Sequence, residues 1–316
     1  MDITWAALEA GEQSPSCSPY GGFGKSVWYA FTPSTGGSIT GRASGWFSAP
    51  LAVYTGESLE TLSEIWCNSW GSLLTFHVDP GVTYYFQMGG SYWESGSIDF
   101  DLWVTPPPQA QFWYSPWDPT IFDMVQFSDW SYDPGGLGIQ LWSWDFGDGT
   151  TASGCCPTHR YARDGDYSVK LTVTTPDGRT ASTSQVVRVK THDVAITKLT
   201  VPNSASTGQT KQLTVELNSK RYLEDVEVQL YKSIPGGYQW VGTLQQQVPV
   251  RSANRTTKFS FSYTFTNADG TIGKVTFRAV ATILSARDAL PADNEAISAP
   301  VKVSLTKPFE SPLPRK

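Results

Sequence analysis

Apolar residues recur at every second position in short runs along this chain, and Gly, Pro and Asp break the runs. A period of two sends alternate side chains to opposite faces of a strand. "KSVWYAFTP", "PLAVYTG", "LLTFHVDPGVTYYFQMGG" and "SIDFDLWV" are predicted strands, with Val27, Tyr29 and Phe31 sharing one face and Tyr84, Phe86 and Met88 another. In "LWSWDFGDGTTASG", Trp142, Trp144 and Phe146 point one way, and Gly147 and Gly149 supply the positive φ of a tight turn that Asp148 braces. Downstream, Tyr167, Val169, Leu171 and Val173 alternate along a strand that "PDGR" returns as a hairpin. The last third repeats the pattern in "DVAITKLTVP", "QTKQLTVELNS", "EDVEVQLYKS", "TTKFSFSYTFTN" and "GKVTFRAVATIL", with Phe259, Phe261, Tyr263 and Phe265 on one face. No amphipathic helix exceeds a couple of turns. The expected fold is all-β: three tandem immunoglobulin-like or jelly-roll-like β-sandwich domains.

Seams follow from composition. "TPPPQAQF" after Val104 cannot extend a central strand, and "VKTHDVAI" after Val189 is a second break. The expected domains are residues 1–105, 106–191 and 192–316.

The strands "SVWYAFTP" and "LAVYTG", the "CN" at Cys67 and the "PGVTYYFQM" strand resemble the bacterial pre-peptidase C-terminal type of domain over residues 10 to 104. Such domains often carry acids after "CN"; here Ser69 and Trp70 follow, so the resemblance implies no calcium site at that point. It does imply a Cys17–Cys67 bridge, because the family often places cysteines in these two turns. The strand expected upstream of "LEAGEQSPSC" is shortened, which would leave a sheet edge open to a strand from another chain, with the C-terminal "PFESPLPRK" or the extreme N-terminus as donor.

"WDFGDG", "PTHRYA" and "GDYSVKLTV" resemble the polycystic-kidney-disease (PKD) repeat domain over residues 108 to 190. The resemblance implies a spacer or adhesive module that is not catalytic, whose acidic turns sometimes hold calcium; Asp133 and Asp148 are the matching positions. The opening "DVAI" and the closing "LPADNEAISAPVKV" resemble a bacterial cell-adhesion-related (CARDB-like) domain over residues 192 to 305.

Cys155 and Cys156 are adjacent. A bond between neighbours closes a strained ring, so pairing elsewhere or a reduced state is physically easier. With His159 they could form part of a soft metal site, but a closed zinc site wants four ligands and the spacing is not repeated.

Charge changes the picture of partners. The net charge is −6, but residues 1 to 105 carry 2 basic and 10 acidic side chains, 106 to 191 carry 6 and 9, and 192 to 316 carry 15 and 10. No concentrated basic face suits nucleic acid, and the gradient would favour head-to-tail contacts between copies. No apolar run approaches the roughly 18 residues that span a bilayer. "MDITWAALEAGEQ" lacks the basic and apolar regions of a secretion leader. Four cysteines in a Thr- and Trp-rich β chain nevertheless fit an exported protein, at the cell surface or outside the cell.

The chain shows no Gly-x-Ser-x-Gly elbow, His-Glu-x-x-His pair, phosphate loop or dinucleotide fingerprint, and His77, His159 and His192 lie in three different domains. A non-enzymatic protein is expected, needing no cofactor beyond possible calcium. Of 13 tryptophans, Trp66, Trp70, Trp93, Trp113, Trp117 and Trp130 fall in or beside loops, where a ring could stack on a sugar or fill a pocket on a neighbouring copy. The leading expectation is an exported surface protein that self-associates, as a filament or sheath. The alternative is a carbohydrate- or surface-binding accessory module of a secreted hydrolase or adhesin.

Overall fold

The computed structural model describes residues 1–18, 22–47, 49–69, 73–252 and 255–306. Trp70 and the tail "PFESPLPRK" lie outside the described residues. Strands β1 (Lys25–Phe31), β2 (Gly37–Gly45), β3 (Leu51–Thr55), β4 (Ser63–Asn68), β5 (Leu74–Val78), β6 (Tyr84–Gly90) and β7 (Ile98–Val104) form two sheets, ordered β1-β6-β3-β4 and β5-β2-β7. Next, β8 (Phe112–Ser115), β9 (Val125–Asp129), β10 (Leu141–Asp145), β11 (Thr151–Ser153), β12 (Thr158–His159), β13 (Gly165–Thr174) and β14 (Thr180–Val189) form β11-β10-β13-β14 and β12-β9-β8.

The rest of the chain holds β15 (Val194–Thr200), β16 (Ser204–Ser206), β17 (Thr210–Ser219), β18 (Glu224–Ile234), β19 (Gly237–Val248), β20 (Thr257–Thr264), a one-turn helix α1 (Asn267–Ile272), β21 (Lys274–Val275), β22 (Phe277–Ile283), β23 (Glu295–Ile297) and β24 (Val301–Ser304). Its sheets run β15-β17-β20, β16-β24-β21 and β19-β18-β22-β23. The chain is all-β, built of tandem immunoglobulin-like sandwiches, and its strands divide into two compact units. Unit 1 is Met1–Ser115, Gln126–His159 and Tyr167–Val187; unit 2 is Pro116–Val125, Arg160–Asp166 and Arg188–Lys316.

Alternation sets the cores. Tyr84, Phe86 and Met88 on the inner strand β6 are buried, with Leu51 and Val53 of its neighbour β3. Tyr29, expected on the same kind of face, is 40% exposed because β1 is an edge strand with one partner. Phe259, Phe261 and Phe265 are buried beside Leu213, Val215 and Phe277. No helix among the described residues is long and apolar enough to cross a membrane.

The start of the chain docks on its own sandwich. Ile3 is fully buried in the core of the first sandwich, Asp2 bridges Ser97, and the Ile3 and Ile98 N–H groups donate to Gly96 and Met1 carbonyls at 2.9 and 2.6 Å. Ile3→Ala should therefore destabilise unit 1 by about 2 kcal/mol, the low end for burying an isoleucine because a chain end readjusts. Denaturant unfolding measures this; a change below about 0.5 kcal/mol would show that the terminus contributes nothing.

Candidate functional site

The β8–β9 pair sets the geometry of an aromatic face in unit 1. Phe112 and Phe127 alternate inward, and both are buried against Trp144, with ring centroids 5.1 and 5.6 Å away. Phe146 continues this inner stack at 5.2 Å from Phe127. The intervening residues must then face outward. Trp113 pairs with Ser128, the Trp130 N–H donates to the Gln111 carbonyl at 2.8 Å, and Gln109 and Tyr132 exchange both backbone hydrogen bonds at 2.7 and 2.9 Å. One register thus puts Trp113, Trp130 and Tyr132 on a single face with Gln109 and Gln111.

The three rings are 47%, 69% and 62% exposed, too open for core residues of this size. Along a strand such positions are about 7 Å apart, and diagonal cross-strand positions about 7–8 Å. The rings therefore form a strip, not a pocket. Gln126, on the same face of β9, turns its amide nitrogen onto the Cys156 carbonyl at 3.0 Å, tying the strip to the β11–β12 connection.

Of the six tryptophans picked from sequence, the register brings together Trp113 and Trp130. Trp66 is half exposed on the edge strand β4, opposite Val53, and Trp93 is 89% exposed in the turn after β6. Trp117 is 81% exposed within unit 2. Tyr132, Gln109 and Gln111 escaped the sequence reading. Their signal was parity: they fall in step with Trp113 and Trp130 once Phe112 and Phe127 fix the inward face.

The acidic turns hold themselves. Asp148 Oδ1 accepts from the Thr150 N–H and hydroxyl at 3.0 and 2.6 Å, and Oδ2 lies 2.8 Å from His159 Nε2, whose ring stacks on Phe146 at 4.2 Å. Burial alone would raise the Asp148 carboxyl, but these hydrogen bonds and the nearby imidazole hold it below the usual range. Gly147 makes this turn possible: its φ is 77°, and a Cβ there would come within 2.7 Å of the Ser168 carbonyl oxygen.

Asp133 is more deeply engaged. Its oxygens accept from Arg179 Nη1 and Nη2 at 2.7 and 3.1 Å and from the N–H groups of Gly135, Leu137 and Gly138. Both aspartates are thus already engaged, Asp133 by Arg179 and Asp148 by Thr150 and His159. Neither belongs to a group of three or more ligand-bearing side chains among the described residues.

Cys17 and Cys67 are bonded, with Cα atoms 5.7 Å apart. Cys155 and Cys156 are free and exposed, and the Cys155 thiol is pushed up by its hydrogen bond with Cys156. His159 directs Nε2 at Asp148 and not into a cysteine cluster.

Residues 106–191 match the family model of the PKD domain. Over 60 residues the chain is 45% identical to a microbial collagenase of Vibrio alginolyticus, covering 19% of this chain and 7% of that protein. It is 38% identical over 76 residues to collagenase ColQ1 of Bacillus cereus strain Q1, covering 24% and 8%. Among solved structures, the PKD1 domain of the Vibrio cholerae metalloprotease PrtV is 32% identical over 27% of this chain and all of that domain, with a TM-score of 0.25. The matches span less than a tenth of each of these two collagenases' length. The aromatic strip and both acidic turns lie within the PKD segment.

Proposed function

We propose that this chain is a non-catalytic binding portion of a secreted hydrolase, which holds an insoluble extracellular polymer against the Trp113–Trp130–Tyr132 face. The observation that carries this reading is the three exposed rings in one register, backed by a buried aromatic core and bordered by glutamine amides. Flat rings stack on the C–H faces of sugars or imino acids, and neighbouring amides hydrogen-bond the polar groups of the same polymer. The named collagenases make collagen the first polymer to test, and polysaccharide the second. The flanking sandwiches, of the pre-peptidase C-terminal and cell-adhesion-related types, would carry the module and present it outside the cell.

Self-association into a filament has less behind it. In the single chain the N-terminal segment pairs with its own sandwich, and no exposed apolar face argued above calls for a second copy.

Co-sedimentation of the intact chain with insoluble collagen, cellulose and chitin tests the proposal. Saturable retention on at least one polymer, released by soluble fragments of that polymer, is expected. Retention on none of them would remove the reading.

A further inference from the structure

A second site lies in unit 2, away from any motif used above. Asp193 stands immediately before β15, and Asp288 and Asp293 lie in the connection between β22 and β23, about a hundred residues further along the chain. One carboxylate oxygen from each comes within 4.8 Å of the other two. The connection is held in place: the Val194 N–H donates to Asp288 Oδ2 at 3.1 Å, the Leu290 N–H to Asp288 Oδ1 at 2.8 Å, and the Ala289 N–H to the His192 carbonyl at 2.8 Å. A single 3₁₀ turn, Pro291–Asp293, then sets Asp293.

Acidic clusters are common on surfaces, but this one differs in what it leaves unmade. Asp193 is 3% exposed; its Oδ2 meets Lys220 Nζ at 2.7 Å, whereas its Oδ1 accepts no hydrogen bond from any described residue. Asp293 Oδ1 is also buried and accepts none. Asn218, whose neighbour in the sheet is Ala195, and Asn294, next to Asp293, each add a buried side-chain oxygen with no donor. Buried oxygens that accept nothing are costly, and two of them, on Asp193 and Asp293, belong to this carboxylate group.

Charge agrees. Three carboxylates face one ammonium, and Lys220 is half exposed and 3.8 Å from Asp293.

We propose that Asp193, Asp288 and Asp293 form a calcium site that clips the start of this sandwich to its β22–β23 connection, with Lys220 as the built-in competitor. All the donors are hard oxygens. No thiolate or imidazole is among them, so zinc and the softer metals are poorly served. Carboxylates from two separate segments of the chain suit the loose six- to eight-oxygen shell of calcium better than the strict octahedron of magnesium. Binding would swing Lys220 Nζ from Asp193 Oδ2 toward solvent, so the resident ammonium weakens the site.

The test is calorimetric titration of the intact, EGTA-treated chain with calcium chloride, and in parallel with magnesium chloride. One equivalent is expected at the affinity of extracellular modules, a Kd of roughly 10⁻⁴ to 10⁻³ M, with magnesium at least ten-fold weaker. Asp193→Asn and Asp293→Asn should each weaken that equivalent ten-fold or more and abolish the calcium-dependent rise in Tm. Lys220→Met keeps every proposed ligand and should bind several-fold tighter. It also reads out the site if an aspartate variant fails to fold. Absence of calcium binding by both the wild type and Lys220→Met would overturn the proposal, as would aspartate variants that titrate like the wild type or magnesium that binds as tightly as calcium.

Discussion

Arg179→Ala should cost unit 1 about 3–5 kcal/mol, because it strands two buried carboxylates. The Arg179 side chain is 9% exposed, and those of Asp133 and Asp177 are 1% and 3%. The guanidinium forks onto Asp133, reaches Asp177 Oδ2 through Nε at 2.6 Å, and gives a further bond to the Pro106 carbonyl at 2.7 Å. A buried pair need not stabilise more than an apolar substitute, but removing one partner leaves uncompensated charge out of reach of water. Arg179→Lys should recover less than half of the loss, since a point charge cannot serve two carboxylates and a carbonyl with one planar fork. Denaturant unfolding measures both variants. A loss under about 1 kcal/mol for Arg179→Ala would mean that water reaches this triad.

The same triad sets an acid limit. Burial would raise the Asp133 and Asp177 carboxyls, but hydrogen bonds from Arg179 and local donors, with the Arg179 charge, bring both below the ordinary aspartate value. Their folded pKa lies below the unfolded one, so their contribution is fully present above about pH 4 and drains away as pH falls toward the lowered value. Arg179→Ala should flatten this part of the acid unfolding curve.

The second large effect concerns the aromatic strip. If each exposed indole is an anchor worth about 2 kcal/mol, a single truncation lowers polymer affinity about 30-fold. Trp113 and Trp130 are diagonal neighbours, so their losses will not simply add, and the double variant Trp113→Ala, Trp130→Ala is expected to bind at least 100-fold more weakly. Both side chains are largely outside the core, so unfolding should shift by less than about 1 kcal/mol. Binding lost with stability kept identifies the face as the contact. Unchanged retention by the double variant would move the contact elsewhere, with Trp93, the most exposed of the other described loop candidates, as the next position to truncate.

Local alternation carried most of the fold. Phe86, Met88, Phe259 and Phe261 are buried as their period required, because the residues deciding it are two positions apart. Tyr29 departs from its pattern because edge or centre is a property of sheet order, which no strand encodes by itself. The sites were less legible for the same reason. "PDGR" reads as a hairpin, yet Arg179 spends its guanidinium on Asp133, 46 residues away. Trp113 and Trp130 were visible as exposed candidates, but Tyr132 joins them only through the pairing of β8 with β9 and its extension. Asp193 opens one strand and Asp288 and Asp293 close a distant connection, so nothing short of the tertiary fold places them side by side.

Under the proposed polymer-holding role, the Cys17–Cys67 bond acquires a mechanical meaning. Under tension an unfolding sandwich releases chain length, and the cross-link withholds the 50-residue span it closes. At roughly 3.4 Å per extended residue, about 170 Å of slack is never paid out while the bond is intact. The oxidised module is thereby a shorter tether than its sequence, and reduction would lengthen it without touching the proposed contact face of Trp113, Trp130 and Tyr132.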